Sequence, residues 1–282
     1  MQTPFVSLEQ VLDGPVTLVD LGSNARGRPP HEAYAAGHVP GAVHVDLDRW
    51  LAAPPSAAAG RHPLPDPETF ARGMRRAGIG ATDRVVAYDR AGGVFAARLV
   101  WMLRAVGVDA AVLDGGLGAW TAAHGEDSLE AGETERPVSE FPARDVPPAL
   151  LADLDVVTGV ADAALRGERS GTVLLDAREG TRFRGEPHPL DTVPGHIPGA
   201  RSLPCRDNLD DRGFLLPEEV LRARIADVGI EEDTPVISSC GSGVTACHTL
   251  LLLEHLGLGV GRLYPGSWPQ WTGHDLPVGT GG

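Results

Sequence analysis

Short β-branched and apolar runs alternate along this chain with longer stretches of helical period. In the first half, Val16–Leu21, Val85–Tyr88 and Ala111–Leu113 read as strands; in the second, Val173–Ala177, Val236–Ser239 and Arg262–Tyr264 do. Helices are expected over Pro67–Ala77, Phe95–Val106, Pro217–Val228 and Val244–Leu256. Asp66 before Pro67 has the form of an N-cap followed by a proline at the first helical position. Strands alternating with helices imply an α/β chain, with mostly parallel sheets covered by helices on both faces.

The pattern is written twice. Gly78-Ile79 returns as Gly229-Ile230, Val85-Val86 as Val236-Ile237, Gly115 as Gly266 and Trp120 as Trp271, all with one spacing. Upstream, His38-Val39-Pro40-Gly41-Ala42 returns as His196-Ile197-Pro198-Gly199-Ala200, and Asp20 as Asp176. Two copies in the same order mean two similar domains and not a solenoid. The expected division is 1–124, a linker over 125–149, and 150–282. The linker is acidic and carries Pro137, Pro142, Pro147 and Pro148.

Composition narrows the function. The chain has 282 residues, enough for two domains, with 24 basic residues against 38 acidic ones and a net charge of −14. That balance argues against nucleic acid or an anionic membrane surface as partner. Every basic residue is arginine, which excludes a lysine Schiff base and a lysine-dependent phosphate loop. Three cysteines, Cys205, Cys240 and Cys247, are too few for a disulfide framework and fit a reducing compartment. The N-terminus shows no signal-peptide pattern, and apolar runs such as Leu250–Leu253 are far too short to span a membrane. The expected location is cytoplasmic.

The candidate chemistry lies at Val236-Ile237-Ser238-Ser239-Cys240-Gly241-Ser242-Gly243-Val244-Thr245. Strand, tight loop and helix follow one another there. The thiol of Cys240 falls at the C-terminal end of a buried strand and at the N-terminus of a helix, where unpaired N–H groups point inward. Gly241 and Gly243 let the backbone curl so that the amides of Gly241, Ser242, Gly243, Val244 and Thr245 converge. Such a cradle favours the thiolate, the nucleophilic form. The plainer alternative is a buried core cysteine. The repeat breaks at this point: Asp89 stands opposite Cys240. The first copy therefore reads as structural and the second as the one that does the chemistry.

These residues resemble the tandem-domain rhodanese family of sulfurtransferases, over nearly the whole chain. The likeness is carried by the repeated His-x-Pro-Gly-Ala turns, Leu113-Asp114-Gly115-Gly116 with Trp120, Arg182-Phe183-Arg184-Gly185-Glu186-Pro187, and above all by Cys240-Gly241-Ser242-Gly243-Val244-Thr245. This last loop is similar to that of 3-mercaptopyruvate sulfurtransferases; thiosulfate-preferring relatives carry basic residues where this chain has Gly241 and Ser242. The resemblance implies two rhodanese-like domains with an active loop in the second only. It implies a ping-pong reaction through a Cys240 persulfide, from a small anionic donor to cyanide or a thiol such as thioredoxin. No metal or organic cofactor is implied.

It also assigns roles. Arg182 becomes the anchor for the donor's anionic end, since a guanidinium matches paired oxygens; Arg178 and Arg184 compete for that role. The mercaptopyruvate enzymes have a second arginine further along the loop, where this chain has Leu190. Ser242 is placed to reach the donor, and a relay from Asp48 through His62 to Ser242 follows the logic of a catalytic triad. The alternatives are a surface carboxylate and a loop histidine. His248, His255 and Cys247 share one helix, but no metal-ligand motif supports a metal site, and packing is the expected role. Trp120 and Trp271 read as core anchors, and Trp268 as a candidate pocket wall. Cys205, after a proline, is expected to be the more exposed thiol.

Three rival readings remain. A cysteine phosphatase requires Cys-x5-Arg, and the sixth residue after Cys240 is Ala246. A serine hydrolase at Ser242 lacks Gly-x-Ser-x-Gly. A non-enzymatic sulfur-relay or redox-sensing module would use the same Cys240. The expectation is a sulfurtransferase with 3-mercaptopyruvate as the preferred donor and thiosulfate as the alternative.

Overall fold

Parallel strands cannot be joined by a tight turn; each pair needs a crossover, which helices supply. The computed structural model describes residues 3–22 and 28–281 and contains two parallel sheets. The first has β1 (Phe5–Val6), β2 (Thr17–Asp20), β3 (Val43–His44), β4 (Arg84–Tyr88) and β5 (Asp109–Leu113), in the order β1-β5-β4-β2-β3. The second has β6 (Val173–Asp176), β7 (Arg201–Ser202), β8 (Val236–Ser239) and β9 (Arg262–Leu263), in the order β7-β6-β8-β9. Registers correspond: Asp20 pairs with Tyr88 in the first sheet and Asp176 with Ser239 in the second. Where β1 pairs with β5, the second sheet has an isolated parallel bridge from Leu151 to Leu263.

Two compact units result. Unit 1 comprises Met1–Ala53, Leu64–Val146 and Leu209–Leu215; unit 2 comprises Pro54–Pro63, Pro147–Asn208 and Leu216–Gly282. Each unit thus takes in a short segment from the other repeat, which periodicity does not reveal. The proline-rich stretch after residue 124 is docked on unit 1: Phe141 is buried edge-on against Phe70, and its carbonyl accepts from Arg75 Nε at 2.8 Å.

Local signals place the helices. Asp66 accepts from the Thr69 N–H at 2.9 Å and opens helix Pro67–Arg76. Helices Ala96–Ala105 and Thr245–His255 are buried along most of their length, which accounts for their unbroken apolar runs. In unit 2, Val157, Leu174, Ile237, Tyr264, Trp268 and Trp271 form one core cluster. Trp271 is fully buried; Trp120 packs half-buried against the unit 1 core and donates to Ser128 Oγ at 2.9 Å. No helix among the described residues is long and apolar enough to cross a membrane.

In unit 1 the loop after β4 is closed by a carboxylate. Asp89 is fully buried and accepts from Ala91 and Gly93 N–H on one oxygen, at 2.6 and 2.8 Å. Its other oxygen accepts from Phe95 and Ala96 N–H at 2.8 and 2.9 Å. Asp89→Ala leaves four amides unpaired, two of them buried, so it should destabilise unit 1 by about 2–4 kcal/mol. The expected result is a lower Tm in calorimetry; an unchanged Tm would show that the loop holds itself without this anion.

Candidate active site

Strand β8 delivers Cys240 to its C-terminal end. The side chain is 1% exposed, and its Sγ accepts N–H hydrogen bonds from Ser242 at 3.3 Å and Gly243 at 3.0 Å. These are two of the five amides expected in the cradle. Gly243 has φ of 73°, and a Cβ there would run into the Pro265 carbonyl, so the turn needs glycine. Gly241 has a different reason: a Cβ there would lie 2.8 Å from Arg182 Nη2. Its missing side chain lets a guanidinium rest against the cysteine loop. Val244 is buried, while Ser242 and Thr245 are partly exposed.

The peptide groups of Cys240 are gripped from the other side by consecutive residues. Its N–H donates to Ser267 Oγ at 3.1 Å, that hydroxyl donates to the Tyr264 carbonyl at 2.8 Å, and the Trp268 N–H donates to the Cys240 carbonyl at 3.0 Å. Ser267 is fully buried with φ of 50°, a left-handed conformation that a non-glycine residue adopts at a cost.

Arg182 sits in the short helix Gly180–Arg184. Its Nε and Nη2 donate to the two oxygens of Asp191 at 2.7 and 2.6 Å, a fork-to-fork pair. Arg178 holds Asp176 through Nε and Nη2, donates to the Gly195 carbonyl at 2.7 Å, and lies 4.6 Å over the Trp268 ring. It also reaches Asp191 at 3.4 Å. Burial pushes the Asp191 carboxyl up, but the Arg182 hydrogen bonds and the charges of Arg182 and Arg178 outweigh it and hold the group below the usual carboxylate range. The helix is pinned by His196, whose ring stacks on Phe183 with centroids 3.8 Å apart and whose Nδ1 donates to the Phe183 carbonyl at 2.7 Å. One of the two His-x-Pro-Gly-Ala turns thus fixes the arginine-bearing segment.

The structure brings Cys240, the Gly241–Val244 loop and Arg182 together. Arg184 pairs with Glu186 at 2.9 Å, and Arg178 with Asp176 at 2.6 Å. Asp48 lies in helix Leu47–Trp50 of unit 1, and His62 in the 54–63 segment of unit 2. Trp268 is 2% exposed and donates to the Val193 carbonyl, so it is core and not a pocket wall. Cys205 is likewise buried and not the exposed thiol; burial pushes it up to about 12. Cys247 donates to the Gly243 carbonyl at 3.5 Å from within the helix, and buried His248 is pushed down to about 4, hence neutral. His255 is exposed. Leu190 is an exposed side chain whose carbonyl accepts a hydrogen bond from Arg61. Asp191 and Ser267 were missed by sequence reasoning: Asp191 meets Arg182 across nine residues of irregular loop, Ser267 meets Cys240 across 27 residues, and neither forms a local motif.

A rhodanese-like domain is recognised at residues 7–123 and again at 160–274. A probable 3-mercaptopyruvate sulfurtransferase of Pseudomonas aeruginosa is 41% identical over 283 residues, covering 96% of this chain and 92% of its own length. A putative thiosulfate sulfurtransferase of Mycobacterium tuberculosis is 38% identical over 269 residues, covering 95% of this chain and 92% of its own. The crystal structure of SseA, a 3-mercaptopyruvate sulfotransferase of Escherichia coli, matches with a TM-score of 0.75 at 35% identity, covering 95% of this chain and 99% of that one. The chain belongs to the rhodanese family. Within it, this protein is an enzyme, a sulfurtransferase.

Two outcomes follow from the contacts. Ser267→Ala removes the acceptor for the Cys240 amide and should lower stability by about 1 kcal/mol; a denaturant midpoint equal to wild type would show the clamp to be idle. Asp191 has a folded-state value below its ordinary 3.8, so its pairing stabilises the protein above that pH and is lost as pH falls through the depressed value. The Tm deficit of Asp191→Asn should therefore be largest near neutrality and shrink as pH is taken from about 5 to about 3. A deficit constant with pH would refute that linkage.

Proposed function

We infer that Cys240 carries sulfane sulfur, taken from a small anionic donor, with 3-mercaptopyruvate ahead of thiosulfate. The observation that carries this reading is a sulfur atom hydrogen-bonded by the Ser242 and Gly243 amides, with the Arg182 guanidinium against Gly241. An attacking thiolate and the resulting persulfide are both anions, and converging amides stabilise both without rearranging.

With 3-mercaptopyruvate, the Cys240 thiolate attacks the donor's thiol sulfur. An S–S bond forms and the C–S bond breaks. The electron pair passes to the donor's methylene carbon, which takes the thiol proton and leaves as pyruvate. With thiosulfate, the leaving group is sulfite and no proton moves. Cyanide or a thiol such as thioredoxin then attacks the outer sulfur and restores the Cys240 thiolate. Arg182 holds the donor's carboxylate through the N–H groups that Asp191 leaves over. The relay belongs to the first donor alone: His62 with Ser242 moves the thiol proton towards carbon.

The relatives divide over the donor, and so do the residues. Gly241 and Ser242 favour 3-mercaptopyruvate; Leu190, in place of a second arginine, favours thiosulfate. Three free thiols accord with a reducing compartment, the cytoplasm.

Thiocyanate formation from cyanide, measured with each donor in turn, tests the reading. Wild type should turn over 3-mercaptopyruvate faster, and after donor treatment Cys240 should gain the mass of one sulfur atom. Cys240→Ser should lose activity with both donors; retained activity would remove Cys240 from the mechanism. His62→Ala should slow turnover of 3-mercaptopyruvate by about tenfold or more and spare thiosulfate. Equal losses with the two donors would dismiss the relay.

A further inference from the structure

The buried charges beside Cys240 cancel. Arg178 and Arg182 supply two positive charges, Asp176 and Asp191 two negative ones, and none of the four side chains is more than 10% exposed. The chain as a whole carries −14. An anionic donor therefore approaches a negative protein and meets a neutral cluster, unless another cation stands nearby.

Arg61 breaks the balance. It lies in the 54–63 segment that belongs to unit 2, and its Nη2 donates to the Leu190 carbonyl at 2.5 Å. The acceptor is an uncharged carbonyl, so this bond leaves the guanidinium charge uncancelled. The next residue, Asp191, is the two-oxygen partner of Arg182, whose Nη2 lies against Gly241. Two guanidinium groups from distant parts of the sequence thus close on one dipeptide, Leu190–Asp191. Leu190 is 54% exposed and Asp191 is buried, so Arg61 holds the solvent side of this loop and Arg182 the inner side.

We propose that Arg61 is a specificity-determining residue: its guanidinium charge, hydrogen-bonded to a neutral carbonyl, draws anionic sulfur donors towards Cys240. This rests on Cys240 being the sulfur carrier. The ligand class follows from the charge: a thiol-bearing carboxylate or thiosulfate, bound more strongly the greater its negative charge. If the Arg61 charge acts on the donor across about 7 Å with water-like screening, one unit charge changes affinity about threefold, and a dianion feels the square of that factor, about sevenfold.

The test compares Arg61→Gln and Arg61→Lys with wild type at low ionic strength, using thiosulfate, a dianion, and 3-mercaptopyruvate, a monoanion. For Arg61→Gln, kcat/KM should fall about threefold with 3-mercaptopyruvate and about sevenfold with thiosulfate, through KM and with kcat nearly unchanged. Arg61→Lys should retain most of the wild-type value, and about 0.5 M salt should erase the differences. Equal losses with both donors, in the lysine variant as in the glutamine one, would mean that Arg61 merely props the loop and would overturn the proposal. If Arg61→Gln does not fold, the salt dependence of wild type decides. Its kcat/KM should fall as salt rises; a rate that rises with salt, as a protein of charge −14 without a local cation would give, overturns the proposal. Absence of thiocyanate from wild type with either donor would refute the Cys240 reading itself, whereas the Arg61 proposal fails with wild-type turnover intact.

Discussion

A hydrogen-bond acceptor held by backbone amides, where a parallel strand gives way to a helix, organises both halves of this chain. The first amides of a helix have no partner within it, and the end of a buried strand has no water to offer them. Something anionic or strongly accepting must sit there. In unit 1 it is the carboxylate of Asp89, which takes four amides. In unit 2 it is the sulfur of Cys240, which takes two. One backbone solution serves as a structural plug in the first case and, in the function proposed above, as the reaction site in the second. The difference lies in the occupant: a carboxylate is charged already and has nowhere to go, whereas a sulfur can gain and lose a second sulfur.

A reactive sulfur in such a place needs a rigid seat. Ser267 and Trp268 take the N–H and the carbonyl of Cys240, so neither peptide group can turn without breaking a buried hydrogen bond. Ser267 does this from a left-handed conformation, which the buried surroundings over-determine. Arg178 ties the end of β6 to the same region, since it holds Asp176 and stacks on Trp268. These contacts set the sulfur relative to Arg182, which is the relation a donor must match.

The two units solve a shared problem differently around the repeated strand-end aspartate. In unit 1, buried Asp20 is met by Arg90 from the loop after β4, at 3.2 Å. In unit 2 its equivalent, Asp176, is met by Arg178 from only two residues further along. Taking the arginine from beside the strand in unit 2 leaves the cysteine loop free of a large side chain. Glycine at 241 completes this, and it is why Arg182 can approach.

Much of this protein was legible without coordinates. Buried parallel strands need continuous apolar runs, so β8 was readable as Val236–Ser239 and β4 nearly so. The strand–loop–helix with Gly241 and Gly243 around a thiol was also readable, because a tight turn at a strand end needs glycine. The repeat exposed Asp89 as the counterpart of Cys240 because equivalent strands must carry equivalent ends. What sequence could not supply was every contact made across the fold. Asp191 and Ser267 belong to no local pattern. Trp268 and Cys205 were misjudged because burial depends on which face of a short element meets the core, and short elements have no readable period. The passage of 54–63 into unit 2, which carries Arg61 to Leu190, is likewise invisible to any pattern along the chain. Periodicity reports neighbours three or four residues apart, whereas Arg61 meets Leu190 across 129 residues, and only folding decides which groups so far apart meet.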